Sequence, residues 1–563
     1  MESNGPFGWF GRLVVGHPWL VIAGWILAAV AIVATSPGQL LNVSQSDTLP
    51  RSYESIRAQQ LQEHAFPAAF HPSAIIVFQR RDGDRLTASD SAKVVQVAQK
   101  VDGEHIKNVQ RVLTGPPSAN GLVQTVGVQM PQLTNANYPS IDASVQKLRD
   151  DLKPLVAGTD LKAGTTGEAA MDLDQSQSGS TALTIIAVAT VALIVALLLL
   201  TFRSPIIALL PIVVIAVLSQ VAAALIGDAQ HLFGLKGDSS TQQLLVVVLF
   251  GVGTDYMLFL LFRFRERLRA GDSSKQAMAA AVGRVGEVIA CAAGVVIVAF
   301  MTLALSSLGT FRALGPSLAI AVAATLVTGL TLIPAVVSLL GPRVFWPSAA
   351  WKNEPKGARF AAAGRMVGRR TPIVAAISGL VLVGLALGAL RFSTSFAETS
   401  GLPNQAESQL ALRDLERGLP AGATEPTEVL LHSNQGRLDS AVLSGYARQL
   451  RAVHGVGQVA PAELSRDGTT AAFTVLLRDD PSSQPAMATV RALRQAAHAG
   501  APFGTTALVG GVTAVYVDAQ AATTRDYLIV FPVAAALVVV MLALLLRSLV
   551  APWFLMLSVG LGF

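Results

Sequence analysis

The sequence predicts a polytopic α-helical membrane protein, built as an internal duplication with two polar α+β domains inserted between its helices. Three observations support this prediction. Hydrophobic residues make up 52% of the 563 residues, charged residues make up only 14%, and the mean hydropathy is +0.52. Apolar runs of roughly 20 residues, the length that crosses a bilayer, recur along the chain. Short motifs of the first half also return in the second half at nearly constant offsets.

The charge balance gives no reason to expect a nucleic-acid partner. The net charge is +6, but the basic residues cluster on one side of the apolar runs, as the positive-inside rule requires. The single Cys291 lies inside an apolar run, which excludes a disulfide or a thiolate metal site within this chain.

The first apolar run, residues 19–35, is predicted to be a transmembrane helix. A secretory signal peptide is the alternative, since Ala34-Thr35-Ser36 resembles a cleavage site. The same layout returns at residues 372–390, where no signal peptide could lie, and this favours a membrane helix. The other predicted spans are residues 181–201, 206–227, 244–262, 287–305, 317–340 and 527–546.

Basic residues fill alternate connections between these spans, so the N-terminus and the basic loops are predicted to be cytoplasmic. The loop after the fourth helix carries Arg263, Arg265, Arg267, Arg269, Lys275 and Arg284. The loop after the sixth carries Arg343, Lys352, Lys356, Arg359, Arg365, Arg369 and Arg370.

The predicted spans divide the chain into seven segments. They are residues 1–35 (cytoplasmic N-terminus and first helix), 36–180 (first extracytoplasmic domain), 181–340 (helices two to six), 341–371 (cytoplasmic linker), 372–390 (seventh helix), 391–524 (second extracytoplasmic domain) and 525–563 (eighth helix and the start of a ninth).

Each polar domain is predicted to have the order β-α-β-β-α-β, which is typical of the ferredoxin-like motif. In the first domain the elements are residues 74–78, 89–100, 109–113, 123–130, 141–155 and a strand near Leu161. In the second they are residues 428–431, 441–454, 458–460, 471–477, 487–499 and 506–509.

Repeated dipeptides indicate the duplication. The matching pairs are Gly11-Arg12 with Gly364-Arg365, Leu49-Pro50 with Leu402-Pro403, Glu54-Ser55 with Glu407-Ser408, Phe66-Pro67 with Leu419-Pro420, and Arg203-Ser204 with Arg547-Ser548. The second copy reaches only its own third helix, and residues 551–563 are too few to span a bilayer. The repeat therefore predicts that the complete protein continues past Phe563 through three more helices that are absent from this chain.

The candidate functional residues are Asp255 and Tyr256, midway along the fourth predicted helix. A carboxylate at bilayer depth costs about 2.5–3.5 kcal/mol on insertion scales, so Asp255 is predicted to face the protein interior on an ion or proton path. Tyr256 can donate a hydrogen bond to a partner. Gly251 and Gly253 are predicted to serve helix packing near this site. The alternative is a protonated aspartate that only holds helices together.

No enzyme, metal or cofactor chemistry is indicated by the other motifs. The sequence has no Gly-x-Ser-x-Gly elbow, no phosphate-binding loop with lysine and no histidine with metal-ligand spacing. A dinucleotide fingerprint at Gly251–Tyr256 lacks its third glycine and its βαβ context. An ion gradient is therefore the expected energy source.

These residues resemble the MmpL-type (mycobacterial membrane protein large) branch of the resistance–nodulation–division (RND) superfamily. The resemblance rests on residues 251–256, on the following Arg263–Arg267, and on Thr331–Ala335 leading to Gly341. It implies twelve helices, two porter-like domains outside the membrane, and proton-driven efflux of lipids or other hydrophobic molecules across the inner membrane. It also implies that the Asp-Tyr pair of helix four works with a second Asp-Tyr pair in helix ten, of which only Asp255-Tyr256 is present here.

Two other functions remain open at this stage. A SecD/SecF-like protein-translocation motor shares the loop layout and an acidic fourth helix. A lipid-sensing protein of the sterol-sensing-domain type would keep the five-helix unit without transport. The expected partners are a hydrophobic or lipid substrate and the bilayer, with no nucleic acid, and both a monomer and a trimer remain open.

Overall fold

The computed structural model describes residues 5–39, 49–67, 72–131, 138–237, 239–348, 358–388, 403, 405–419, 422 and 425–562. The chain separates into two compact units. The membrane unit comprises Met1–Asn42, Thr184–Ser393 and Arg525–Phe563, and the polar unit comprises Val43–Leu183 and Thr394–Thr524. Some predicted features lie outside the described residues, namely Lys352, Lys356, Leu402, Pro420 and the end of the seventh predicted helix at residues 389–390.

The elements of the first half alternate between helix and strand only in the polar unit. In chain order they are α1 (Pro6–Gly16), α2 (Pro18–Thr35), α3 (Glu54–Ala65), β1 (Ala74–Arg80), α4 (Ala88–Gly103), β2 (Arg111–Pro117), β3 (Val123–Gln129), α5 (Tyr138–Val156), β4 (Leu161–Thr166), α6 (Glu168–Phe202), α7 (Pro205–Phe233), α8 (Ser239–Arg269), α9 (Ser274–Thr302), α10 (Gly309–Leu330) and α11 (Leu332–Leu340).

The second half repeats the order from α1 to α7, with one additional strand, β7. Its elements are α12 (Ala358–Arg369), α13 (Thr371–Ala386), α14 (Glu407–Glu416), β5 (Thr427–Ser433), α15 (Ser440–Arg451), β6 (Val456–Val459), β7 (Glu463–Leu464), β8 (Thr470–Leu477), α16 (Gln484–Ala499), β9 (Thr505–Gly510), α17 (Val512–Leu546) and α18 (Ala551–Gly562).

Within the described residues, six helical segments are long and apolar enough to cross a membrane. They are Pro18–Thr35, Pro205–Phe233, Leu244–Arg269, Ser274–Leu305, Gly309–Phe345 and Val512–Leu546. Shorter apolar stretches lie at Val188–Phe202, Thr371–Ala386 and Ala551–Gly560. Because several segments of this length recur in one chain, the protein is a multi-pass membrane protein.

The helix limits differ from the predicted spans in one consistent way. The helix α6 begins at Glu168 and α17 begins at Val512, well before the predicted starts at residues 181 and 527. Hydropathy detects only the apolar part of a helix, so a polar first half that continues the same helix goes unseen.

The sixth predicted helix, residues 317–340, is broken rather than continuous. It divides into α10 and α11 at Thr331, whose backbone has φ −121° and ψ −68°. Pro334 accounts for the break, because proline has no N–H and its ring clashes with the carbonyl one turn earlier. Trp25 of α2 donates from Nε1 to Thr331 Oγ1 at 2.9 Å. A side chain of the first predicted membrane helix therefore lies against this break.

The polar unit contains two antiparallel sheets. The first has the strand order β2-β3-β1-β4, and the second has β6-β8-β5-β9 with β7 on β8. Ile76 lies opposite Val126 in the first sheet, and Val429 lies opposite Phe473 in the second. Each sheet buries one face against two helices, in cores that include Ile76 and Phe78 in the first and Val429 and Phe473 in the second.

Two helices of the polar unit, α3 and α14, were not predicted, and they are exchanged between the halves. The helix α3 of the first half packs on β5 and β9 of the second half, whereas α14 of the second half packs on β1 and β4 of the first. Small residues permit the close approach. A Cβ added at Gly510 would lie 2.9 Å from Ala58 Cβ, and one added at Gly164 would lie 3.0 Å from Ala411 Cβ.

Candidate functional site

The Asp255-Tyr256 pair lies on α8, the helix that packs against α7, α9 and α10 at the centre of the membrane unit. Tyr256 is only 5% exposed and belongs to the main hydrophobic cluster of this unit. Gly329 of α10 lies against its ring, since a Cβ added there would be 3.5 Å from Tyr256 Cβ and Cδ2, an ordinary van der Waals distance.

Asp255 itself lies on the opposite side of α8, which is exposed in the part of the chain that the structure describes. That it faces the protein interior stays a prediction. Successive helical residues differ by about 100° in direction, so when Tyr256 points into the packed side, its neighbour points away. Gly251, Asp255 and Phe259 follow one another at intervals of four residues and form an exposed stripe along α8.

The two glycines predicted to serve helix packing differ in their surroundings. A Cβ at Gly253 would lie 3.4 Å from Ile215 Cδ1 and 3.5 Å from Thr325 Cγ2, so α7 and α10 approach α8 closely there. At Gly251 no described atom lies within 4 Å of the added Cβ. Immediately after Gly253, Thr254 Oγ1 is buried without a hydrogen-bond partner among the described residues.

Asp255 and Tyr256 are adjacent residues of α8 with different surroundings. Tyr256 is held by packing, whereas the Asp255 carboxyl lies on an exposed stripe of α8 whose neighbouring members, Gly251 and Phe259, are apolar. A charge in apolar surroundings is costly. Within the described residues, no group of histidine, cysteine, aspartate and glutamate side chains could hold a metal ion.

A second acidic residue of the membrane unit, Asp526, was missed by the sequence analysis. It is 8% exposed on α17 and accepts hydrogen bonds from the Ser307 N–H, at 2.8 Å to Oδ1, and from the Ser306 hydroxyl. Arg525 also donates to the Ser307 hydroxyl. These bonds fix α17 to the turn between α9 and α10. The sequence signal that could have identified Asp526 is its position immediately before the predicted apolar span that begins at residue 527.

The polar unit contains an ion pair at each exchanged helix, and the sequence analysis missed both pairs. In the first half, Arg149 Nη1 donates to Asp174 Oδ1 at 2.5 Å, with both side chains under a tenth exposed. In the second half, Arg494 Nη1 donates to Asp518 Oδ1 at 2.6 Å. Burial raises the pKa of Asp174, but the hydrogen bonds from Arg149 and Ser408 outweigh it and bring that pKa below its ordinary value. The repeated Glu-Ser dipeptides at residues 54–55 and 407–408 lie next to these ion pairs, but the sequence did not indicate that Asp518 and Asp174 are their partners.

One family model and several individual proteins match most of this chain. A family model described as the MMPL family matches residues 47–375 and 400–563. The chain is 31% identical over 569 residues to the putative membrane protein SCO5905 of Streptomyces coelicolor, covering 97% of this chain and 66% of that protein. It is also 31% identical over 556 residues to the putative membrane protein ActII-3 of the same organism, covering 97% of this chain and 75% of the relative.

Mycobacterial relatives are also similar over most of the chain. The sulfolipid-1 exporter MmpL8 of Mycobacterium tuberculosis is 28% identical over 471 residues, which cover 81% of this chain and 42% of the relative. The probable transport protein MmpL10 of Mycobacterium leprae is 28% identical over 443 residues, which cover 76% of this chain and 44% of the relative. The chain thus spans less than half the length of these two relatives.

Proposed function

Since the chain belongs to the MMPL family, which lies within the RND superfamily, we propose that it is a transporter that uses the proton gradient to export lipids or other hydrophobic molecules across the inner membrane. The observation that carries this proposal is the Asp255 carboxyl on the apolar stripe of α8, adjacent to the packed Tyr256. The names of the mycobacterial relatives support transport in general, and one of them names a lipid as cargo.

Asp255 is the residue to which we assign proton binding. Protonation removes a charge that is costly in apolar surroundings, so the protonated and ionised forms favour different contacts along α8. Tyr256 is assigned the role of holding this part of the helix against Gly329 of α10. Proton release on one side of the membrane and uptake on the other would then drive a cycle of helix rearrangement.

The two sheets of the polar unit are proposed to be ferredoxin-like porter domains on the extracytoplasmic side, with the N-terminus in the cytoplasm. Their support is the β-α-β-β-α-β order of each half and the matching strand orders of the two sheets. Substrate would pass between these domains or enter from the outer leaflet. No cofactor is assigned, and the proposal holds for a monomer or a trimer.

A complementation experiment tests the proposal. Cells that lack the gene should accumulate a lipid or hydrophobic compound inside, and the wild-type gene should restore its export. Asp255→Asn keeps size and hydrogen bonding but cannot ionise, so it should fail to restore export at normal expression. Asp228→Asn, which changes a carboxylate at the end of α7, is the matched control and should restore it.

Two results of that experiment would count against the proposal. Full export by Asp255→Asn would remove the proton-binding role from this residue. An unchanged lipid profile together with impaired protein secretion would favour a protein-translocation motor instead.

A further inference from the structure

The repeated Glu-Ser dipeptides mark two docking sites, one for each exchanged helix. The α14 dock is formed by Glu407 and Ser408 at the start of α14, on β4 and α5 of the first half. The α3 dock is formed by Glu54 and Ser55 at the start of α3, on β9 and α16 of the second half. Both lie wholly within the polar unit.

The two docks share the same central contacts. At the α14 dock, the Ser408 N–H donates to Asp174 Oδ2 at 2.9 Å, and the Thr165 N–H donates to Glu407 Oε1 at 3.3 Å. Arg149 holds the same aspartate and has its Nε 3.5 Å from Glu407 Oε1.

At the α3 dock, the Ser55 N–H donates to Asp518 Oδ2 at 3.0 Å, and the Val509 N–H donates to Glu54 Oε1 at 2.9 Å. Arg494 holds that aspartate and has its Nε 3.4 Å from Glu54 Oε2. The carboxylate, serine amide and arginine therefore recur in the same roles, and the two docks can be compared position by position.

The first difference lies four residues after each arginine. At the α3 dock this residue is His498, whose Nε2 lies 2.9 Å from Glu54 Oε1. At the α14 dock it is Lys153, which pairs with Asp150 on its own helix at 2.9 Å. Histidine is the side chain that ordinarily changes charge between about pH 5 and 8. Lysine keeps its charge over that range, so the α3 dock has a histidine where the α14 dock has a permanently charged side chain.

The second difference lies on the sheet surface beneath each helix. Ile75 pairs with Thr166, the last residue of β4, and packs with Ala411 and other apolar residues under α14. The corresponding residue under α3 is Glu428, which pairs with Gly510, the last residue of β9. Its Oε2 atom is buried without a hydrogen-bond partner among the described residues. A carboxyl thus stands at the position where the other dock has an aliphatic side chain.

We propose that the α3 dock is a pH-sensitive contact, which holds α3 at low pH and releases it as the pH rises, whereas the α14 dock holds its helix throughout. The observation that carries the proposal is the exchange of Ile75 and Lys153 for Glu428 and His498 at matching positions of two otherwise equivalent docks. This is a property of the polar unit and does not depend on Asp255.

Both residues act in the same direction. Burial, together with the nearby Glu463 on β7, raises the pKa of Glu428, against the hydrogen bond from Gln62 of α3. A carboxyl with a raised pKa stabilises the docked state at low pH, and this contribution is lost as the pH rises above the ordinary value of 4.5. The His498 imidazole lies beside Glu54, and a histidine pairs with a carboxylate as a cation only when it is protonated. The other charged groups near that contact are Arg494 and Arg57, which stay positive, and Asp518, which Arg494 holds.

Distance measurements between spin labels test this proposal in the full-length protein in nanodiscs, with Cys291→Ala as the background. The label pair Gln60→Cys and Ser444→Cys reports on α3, since both sites are exposed on α3 and α15. The pair Arg413→Cys and Ala92→Cys gives the matched report on α14. On raising the pH from 5 to 8, a longer distance component should appear for the α3 pair and be absent for the α14 pair.

Substitutions that make the docks alike provide the control. Glu428→Ile with His498→Lys gives the α3 dock the residues of the α14 dock and should abolish the pH response. Glu428→Gln, which cannot ionise but keeps the shape, should reduce it even if the double variant fails to fold. An α3 distance that does not change with pH, an equal change at α14, or an undiminished response in these variants would overturn the proposal.

Discussion

At the residue scale, the sequence singles out Asp255 as the candidate site, and its place on a proton path stays a prediction. A carboxylate in an apolar run is conspicuous because it is costly there. Among the described residues it lies on the exposed side of α8, because its neighbour Tyr256 takes the packed side, against Gly329 of α10. Such a pairing between distant residues leaves no mark on the local pattern of either helix.

The buried charges of the polar unit also show what a local sequence pattern does not reveal. Arg149 and Asp174 lie on different helices, and each has the composition of an ordinary solvated helix around it. Local sequence patterns predict amphipathic faces, but they do not reveal that an exchanged helix will cover a charged pair. The repeated Glu407-Ser408 dipeptide was visible, and its partner Asp174 became evident only from the structure.

Removing one member of this pair should be strongly destabilising. Asp174→Ala leaves the guanidinium of Arg149 buried without its partner, for which we expect a loss of about 3–5 kcal/mol in the free energy of unfolding. Chemical unfolding of the purified protein, followed by circular dichroism, measures this. Lys147→Ala removes the exposed partner of Asp151 on the same helix and should leave the stability nearly unchanged.

The loss of unfolding free energy in Asp174→Ala should depend on pH. The pKa of Asp174 is lowered in the folded state, so its stabilising contribution is present above the ordinary value of 3.8 and is lost as the pH falls below it. The difference between wild type and Asp174→Ala should therefore shrink in acid. An equal difference at acidic and neutral pH would mean that the aspartate acts by packing rather than by charge.

At the element scale, hydropathy and alternation predicted most of the helices and strands. All twelve strands and helices expected in the two polar blocks are present, with limits that differ by a few residues. The helices α3 and α14 were missed because each is polar over most of its length and contributes only a narrow apolar face. Their docking is set by contacts with the opposite half, which a pattern within one half does not contain.

The proposed orientation of the loops can be tested at this scale. Single cysteines at Ser89, at the start of α4, and at Ser440, at the start of α15, should react with an impermeant reagent added to intact cells. A cysteine at Ala270, after the arginines of α8, should react only in opened cells, because basic loops stay in the cytoplasm. Cys291→Ala serves as the background, and reaction of Ala270→Cys alone in intact cells would invert the topology.

At the scale of the whole molecule, the duplication organises both units. Apart from the additional strand β7, the order of elements from α1 to α7 returns from α12 to α18, and the main strand orders of the two sheets match. The repeated dipeptides predicted this correspondence. The exchange of α3 and α14 between the halves was not predicted, because a repeat shows which segments are equivalent and not which copies pack together.

The account as a whole rests on proton movement that depends on Asp255, and proton flux in proteoliposomes measures this most directly. The full-length protein would be reconstituted with a pH-sensitive dye inside the vesicles, and an inward proton gradient would be imposed in the presence of lipid substrate. We predict flux for the wild type and for Asp255→Glu, which keeps an ionisable group, and none for Asp255→Asn. Equal flux through wild type and Asp255→Asn, with both proteins folded and inserted, would contradict the account.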